Sequence, residues 1–150
     1  RGIMNRPPRR LETPVLDGAL IRRIVLVSVL LLGGAFGLYL RELAQGQSLA
    51  EARTVAVNVF VLVEMLYLFN CRSLTRGFWS LGVFSNPWVW GGIGTMAVLQ
   101  LLLTYWAPLN AAFSTAPIGL AEWVEIFTFA LGSSLIIALE KHWTNSRRAR

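Results

Sequence analysis

Four apolar runs, nearly free of charge, follow one another along this chain at residues 24–40, 55–71, 88–106 and 123–139. The first and third carry no Asp, Glu, Lys or Arg, and the second carries only Glu64. The fourth opens beside Glu122 and Glu125 and closes at Glu140 and Lys141. A helix rises 1.5 Å per residue, so a run the length of 24–40 covers about 26 Å, enough to cross hydrocarbon with snorkelling flanks. One such run could be a core helix of a soluble domain. Four of them in 150 residues leave too little polar surface to face water. Charged residues make up 15% of the chain, against about 25% in ordinary soluble chains. Strands fit poorly, because the runs lack polar/apolar alternation and match helix length. The expected fold is an all-α membrane protein with four transmembrane helices, spanning about 22–42, 53–72, 87–106 and 121–142. Residues 1–18, with Arg6-Pro7-Pro8-Arg9-Arg10, form a proline- and arginine-rich arm ahead of the helical domain at 19–150, since paired prolines exclude a helix interior.

Basic residues set the orientation. Arg1, Arg6, Arg9, Arg10, Arg22, Arg23, Arg72, Arg76, Lys141, Arg147, Arg148 and Arg150 lie on the first, third and fifth flanks, and only Arg41 and Arg53 on the second and fourth. Twelve against two places both termini in the cytoplasm by the positive-inside rule, which requires an even number of spans. Trp88, Trp90, Trp106, Trp123 and Trp143 sit at run ends, where aromatic rings favour the headgroup region. The net charge of +6 is spread over these flanks instead of forming a patch, so nucleic acid is not an expected partner. The chain opens on Arg1, and the expectation is a piece of a longer reading frame.

Chemistry-bearing residues are few. Glu64 lies about ten residues into its run, roughly 15 Å deep, where a carboxylate costs about 2.5–3.5 kcal/mol to insert. It needs a cation, a proton or a partner, and no Lys or Arg is deep in any run. A ligand on a cation path is the functional reading, and carboxylate oxygen suits hard cations such as calcium. A neutral glutamic acid in an interhelical hydrogen bond is the structural one. Of the neighbours of Glu64 at helical spacing, Phe60, Val61, Tyr67 and Leu68, only Tyr67 adds a hydroxyl, and Asn58 sits on another face. Further ligands would have to come from outside this chain. Gly33 and Gly37 form a small-xxx-small pair suited to close helix packing. Ser133, Ser134 and Gln100 suit hydrogen bonds between helices, and His142 reads as a flank residue. Cys71, the sole cysteine, excludes an internal disulfide and leaves no metal cluster. No phosphate-binding loop and no nucleophile–base pair occurs, so the chain is expected to be catalytically inactive alone.

These residues carry a family resemblance. Ile3-Met4-Asn5-Arg6-Pro7-Pro8-Arg9 and Glu12-Thr13-Pro14-Val15-Leu16 resemble the cytoplasmic loop before the seventh helix of P-type cation-transporting ATPases. Ala52-Arg53-Thr54-Val55-Ala56, Val61-Leu62-Val63-Glu64-Met65 and Leu68-Phe69-Asn70-Cys71-Arg72-Ser73 resemble their eighth helix. Asn86-Pro87-Trp88 and Tyr105-Trp106-Ala107-Pro108-Leu109 resemble the entry and exit of the ninth, and 120–143 the tenth. The match runs in order through the whole chain and is nearest the calcium-pump-like branch. It implies an ATP-driven cation pump working through an aspartyl phosphate, with ATP and Mg2+ used by the intact protein and Ca2+ the transported cation. The glutamate matching Glu64 would contribute to a cation site, and glycines like Gly33 and Gly37 would pack on the long fifth helix. The Asp-Lys-Thr-Gly-Thr phosphorylation sequence is missing here, as are the fourth to sixth helices and the cytoplasmic domains. Membrane lipid and those missing parts are the implied partners, in a plasma (inner) membrane. A free-standing four-helix scaffold without activity is the alternative.

Overall fold

The computed structural model describes residues 18–71 and 87–148. The proline-rich arm, Arg72, Arg76, Trp79 and Asn86 lie outside them, as does the side chain of Cys71. Every regular element among the described residues is helical: α1 (Gly18–Ala44), α2 (Leu49–Cys71), α3 (Pro87–Tyr105), α4 (Ala107–Phe113) and α5 (Leu120–Arg148). Each apolar run falls on one long helix, except that Trp106 lies just past the end of α3. By length and composition, α1, α3 and α5 suffice to cross a membrane.

Local chemistry explains the boundaries. After α1, Gly46 takes φ +85°, a left-handed conformation that costs glycine little. The Gly46 N–H donates to the Leu43 carbonyl at 3.1 Å and the Gln47 N–H to the Glu42 carbonyl at 3.1 Å, which is a complete Schellman ending. Two residues on, the Ser48 N–H donates to Glu51 Oε2 at 2.8 Å and the Glu51 N–H to Ser48 Oγ at 3.2 Å. This reciprocal capping box starts α2. The two devices turn α1 back on α2 within a few residues. Replacing the cap, Ser48→Ala, should cost about 1 kcal/mol of stability in a detergent-unfolding titration. Glu51 precedes the apolar run, and the hydroxyl and N–H of Ser48 hold its carboxyl below the ordinary range. The cap's contribution is therefore full above the usual carboxylate pKa and fades as pH falls through the lowered one.

At the far end of α3 the chain breaks at Trp106, which is extended, and restarts as α4 with Pro108 in its first turn. Proline cannot donate an N–H, so a helix start accommodates it. Ser114 ends α4 with φ 53°. α5 begins where Glu122 reaches back to accept the Gly119 N–H at 2.8 Å.

α2 is the central helix, packed most extensively on α1 and α5. Val55, Val59 and Val63 of α2 meet Ala35 of α1, Ile126 and Ala130 of α5, and Ile118 just before α5. α3 lies against this three-helix core and makes the lighter contact with α2. The long helices alternate in direction. Thr54 near the start of α2 bonds Ala116 beyond α3, Asn58 midway along α2 bonds Thr104 near the end of α3, and Arg23 near the start of α1 pairs with Glu140 near the end of α5.

Candidate functional site

Glu64 faces outward. It is exposed, on the stripe of α2 that also exposes Val57, Phe60 and Leu68. The buried stripe of the same helix carries Val55, Val59 and Val63 against α1 and α5. Tyr67 is half-buried. Among the described residues, no group of three His, Cys, Asp or Glu side chains could hold a metal ion. Glu64 is thus presented to whatever lies beyond this bundle, and any cation there needs oxygen ligands from elsewhere.

Asn58 faces inward, about 120° round the helix from Glu64 at 100° per residue. It is 1% exposed, and its Nδ2 donates to the Thr54 carbonyl at 2.9 Å and to Thr104 Oγ1 at 3.1 Å. The two residues do not share a site within this chain. Asn58 is instead the centre of a polar seam that fastens α3 and the α4 region to the core. Thr54 Oγ1 accepts the Ala116 N–H at 3.0 Å and lies 2.7 Å from the Ala116 carbonyl. Asn110 Nδ2 donates to the Leu103 carbonyl at 2.8 Å and to Thr115 Oγ1 at 3.0 Å. Trp123 Nε1 donates to Tyr105 Oη at 2.7 Å, and Tyr105 donates to the Ile118 carbonyl at 3.0 Å. Without these bonds the irregular backbone at 114–119 would carry unsatisfied amides.

The glycines sort differently from the sequence pattern. A Cβ at Gly33 or Gly37 would meet nothing within 4 Å among the described residues, and both positions are exposed. Gly34, between them, is buried, and a Cβ there would clash with the Cε1–Cζ edge of the Phe129 ring of α5. The close approach inside this chain therefore belongs to Gly34. Gln100 and Ser133 each keep a buried polar atom, Nε2 and Oγ, without a hydrogen-bond partner among the described residues. Glu42 is also buried, at 1% exposure, beneath the α1–α2 turn.

Charged residues at the run ends turn out to be paired. Arg23 Nε lies 3.2 Å from Glu140 Oε2, with both side chains largely buried. Thr144 Oγ1 donates to Glu140 Oε1 at 2.7 Å. At the other end of the same two helices, Arg41 pairs with Glu125. Along α1 the pairs are about 27 Å apart at 1.5 Å per residue, close to the roughly 30 Å of a hydrocarbon core. In the sequence these charges appear only as flanks of the apolar runs.

The antiparallel apolar helices are thus bounded by charge at both ends and turn one carboxylate, Glu64, outward. The family model described as "Cation transporting ATPase, C-terminus" matches residues 1–143. The chain belongs to that family. The "Probable cation-transporting ATPase F" of Mycobacterium tuberculosis (strain ATCC 25618 / H37Rv) is 48% identical over 139 residues, covering 93% of this chain and 15% of that protein. "Calcium-transporting ATPase type 2C member 2" of Mus musculus is 28% identical over 145 residues, covering 95% of this chain and 15% of its own length. "Calcium-transporting ATPase 1" of Schizosaccharomyces pombe is 27% identical over 146 residues, covering 97% and 16%. The chain spans about a sixth of the curated relatives it matches. It is a C-terminal region of a cation-transporting ATPase, and its apolar helices make it an integral membrane protein.

Proposed function

We propose that this chain is the C-terminal part of the membrane domain of an ATP-driven, calcium-type cation pump. It buttresses the transport helices and supplies one carboxylate, Glu64, to the cation path. The observation that carries this reading is the outward position of Glu64 on an apolar stripe. A carboxylate on a lipid-facing stripe is costly, whereas one facing a water-lined path between helices is tolerated and functional. Family membership and the calcium-transporting relatives support the same reading. α2 is then a fourth span beside α1, α3 and α5: it has 23 residues and only Glu64 within its apolar run. The twelve-to-two distribution of basic flanks supports cytoplasmic placement of both termini. The exposed Gly33 and Gly37 offer a notch for a helix outside this chain. In the intact pump, ATP and Mg2+ act at the cytoplasmic domains, and the residues here bind, orient and support.

The test is Glu64→Gln in the intact pump. The cation concentration for half-maximal phosphoenzyme formation should rise roughly tenfold or more, as expected from losing one charge-assisted contact. Expression and detergent stability should be unchanged. Unaltered cation dependence would make Glu64 structural and remove it from the path.

A further inference from the structure

Arg22 and Arg23 lie in the opening turns of α1, and the closing turns of α5 carry Glu140, Lys141 and Thr144. Side-chain bonds join these two helix ends. Arg23 Nε lies 3.2 Å from Glu140 Oε2, Thr144 Oγ1 donates to Glu140 Oε1 at 2.7 Å, and Arg22 Nη2 donates to Thr144 Oγ1 at 3.4 Å. Among the described side chains at this end of the bundle, three basic groups, Arg22, Arg23 and Lys141, share one carboxylate, Glu140. Both oxygens of that carboxylate are engaged, and Arg23 neutralises it. Arg23 and Lys141 are buried, whereas Arg22 is exposed. A guanidinium has five N–H donors in a planar fork. Arg22 gives one of them to a hydroxyl, and no carboxylate pairs with it among the described residues.

The position of Arg22 narrows the partner. Along α1 this level lies about 27 Å from the Arg41–Glu125 pair, close to the thickness of a hydrocarbon core. Arg22 therefore stands where the phosphates of a bilayer begin. Val25 and Val29, three and seven residues further along, share its helix face and are 56% and 61% exposed. An exposed cation thus sits directly above apolar surface. A soluble anion would use the cation alone, whereas a phospholipid uses both.

We propose that the joined ends of α1 and α5 form a binding site for an anionic phospholipid. The lipid phosphate accepts two N–H bonds from Arg22, in the bidentate geometry that arginine favours. The surplus positive charge of the cluster selects a headgroup of net negative charge over a zwitterionic one. An acyl chain lies along Val25 and Val29. The site requires only the membrane placement of α1 and α5, so it stands or falls independently of Glu64.

The experiment is photolabelling of the intact pump in phosphatidylcholine vesicles with two phospholipids, each carrying a diazirine in one acyl chain near the glycerol. One has a phosphatidylglycerol head and the other a phosphatidylcholine head, and adducts are mapped by mass spectrometry. Adducts on Val25 or Val29 should be about fivefold more abundant from phosphatidylglycerol at equal mole fraction, the preference expected of one basic residue meeting an anionic headgroup. Arg22→Gln should lower that ratio below about twofold, and Arg22→Lys, which keeps the charge, should retain most of it. Arg53→Gln removes one charge from the opposite end of the bundle and should leave the ratio unchanged. If Arg22→Gln fails to fold, the ratio and the adduct positions in the parent protein decide. Equal labelling by the two headgroups would overturn the site. So would a preference that survives Arg22→Gln, or one confined to residues away from Arg22.

Discussion

Gly34→Ala is expected to destabilise the bundle by about 1–2 kcal/mol, although alanine is the better helix former by about 1 kcal/mol. The added methyl would clash with the edge of the Phe129 ring. Phe129 packs against the core formed by Val55, Val59 and Ile126, so its ring cannot swing away without disturbing that packing. Overpacking of this kind costs typically 1–3 kcal/mol, and a larger residue such as leucine should cost more. The sign should reverse when the obstruction is removed. In a Phe129→Ala background, Gly34→Ala should stabilise by up to about 1 kcal/mol, because only the propensity gain remains. A double-mutant cycle on the intact protein, read by detergent unfolding, should therefore give a coupling of roughly 2 kcal/mol or more. Equal effects in both backgrounds would show that α1 and α5 do not meet at Gly34. Gly33→Ala and Gly37→Ala are informative controls. Among the described residues nothing opposes a methyl at either position, so destabilisation there would report a contact from beyond them.

Which of the three glycines meets a neighbour is not written in their spacing. Spacing identifies a glycine-rich segment at 33–37, and two of its members satisfy the small-xxx-small pattern. One residue along a helix is a 100° rotation, and α1 is apolar on nearly every side, so the pattern cannot say which glycine meets a neighbour. The same difficulty affects α2. Glu64 was legible as the one charge in an apolar run, but its outward facing was not. Asn58, which spacing puts on another face of the helix, is the inward anchor of α3. α4 was missed because a seven-residue helix has too few turns to show a period, although Pro108 and Asn110 were the available signals. The Ser48-x-x-Glu51 cap could have been read directly, since its pattern precedes an apolar run. Charge placement put Arg23, Arg41, Glu125 and Glu140 at the edges of their apolar runs. Pairing between those ends depends on which helices are neighbours, and only the tertiary arrangement supplies that.

The pairing has its largest expected consequence at Arg23 and Glu140. Their side chains are 10% and 16% exposed, and the carboxylate is engaged on both oxygens, by Arg23 Nε at 3.2 Å and by Thr144 Oγ1 at 2.7 Å. Arg22 adds a longer bond of 3.4 Å to the same threonine. Removing one partner leaves the other charge in a poorly hydrated place, which typically costs 3–5 kcal/mol for a buried pair. Glu140→Leu alone and Arg23→Leu alone should each destabilise the protein by about 3 kcal/mol. The double variant should lie within about 1 kcal/mol of the parent, since apolar replacement of both partners removes the desolvation cost along with the attraction. The pair at the opposite end supplies the contrast. Arg41 and Glu125 are 46% and 26% exposed, so solvent screens their attraction. Exposed pairs contribute about 0–1 kcal/mol, and Glu125→Gln should fall in that range. Unfolding titrations of the four variants separate the cases. Single and double variants at 23 and 140 that lose stability additively would mean that the two side chains act independently. The α1–α5 contact would then rest on apolar packing such as Gly34 against Phe129.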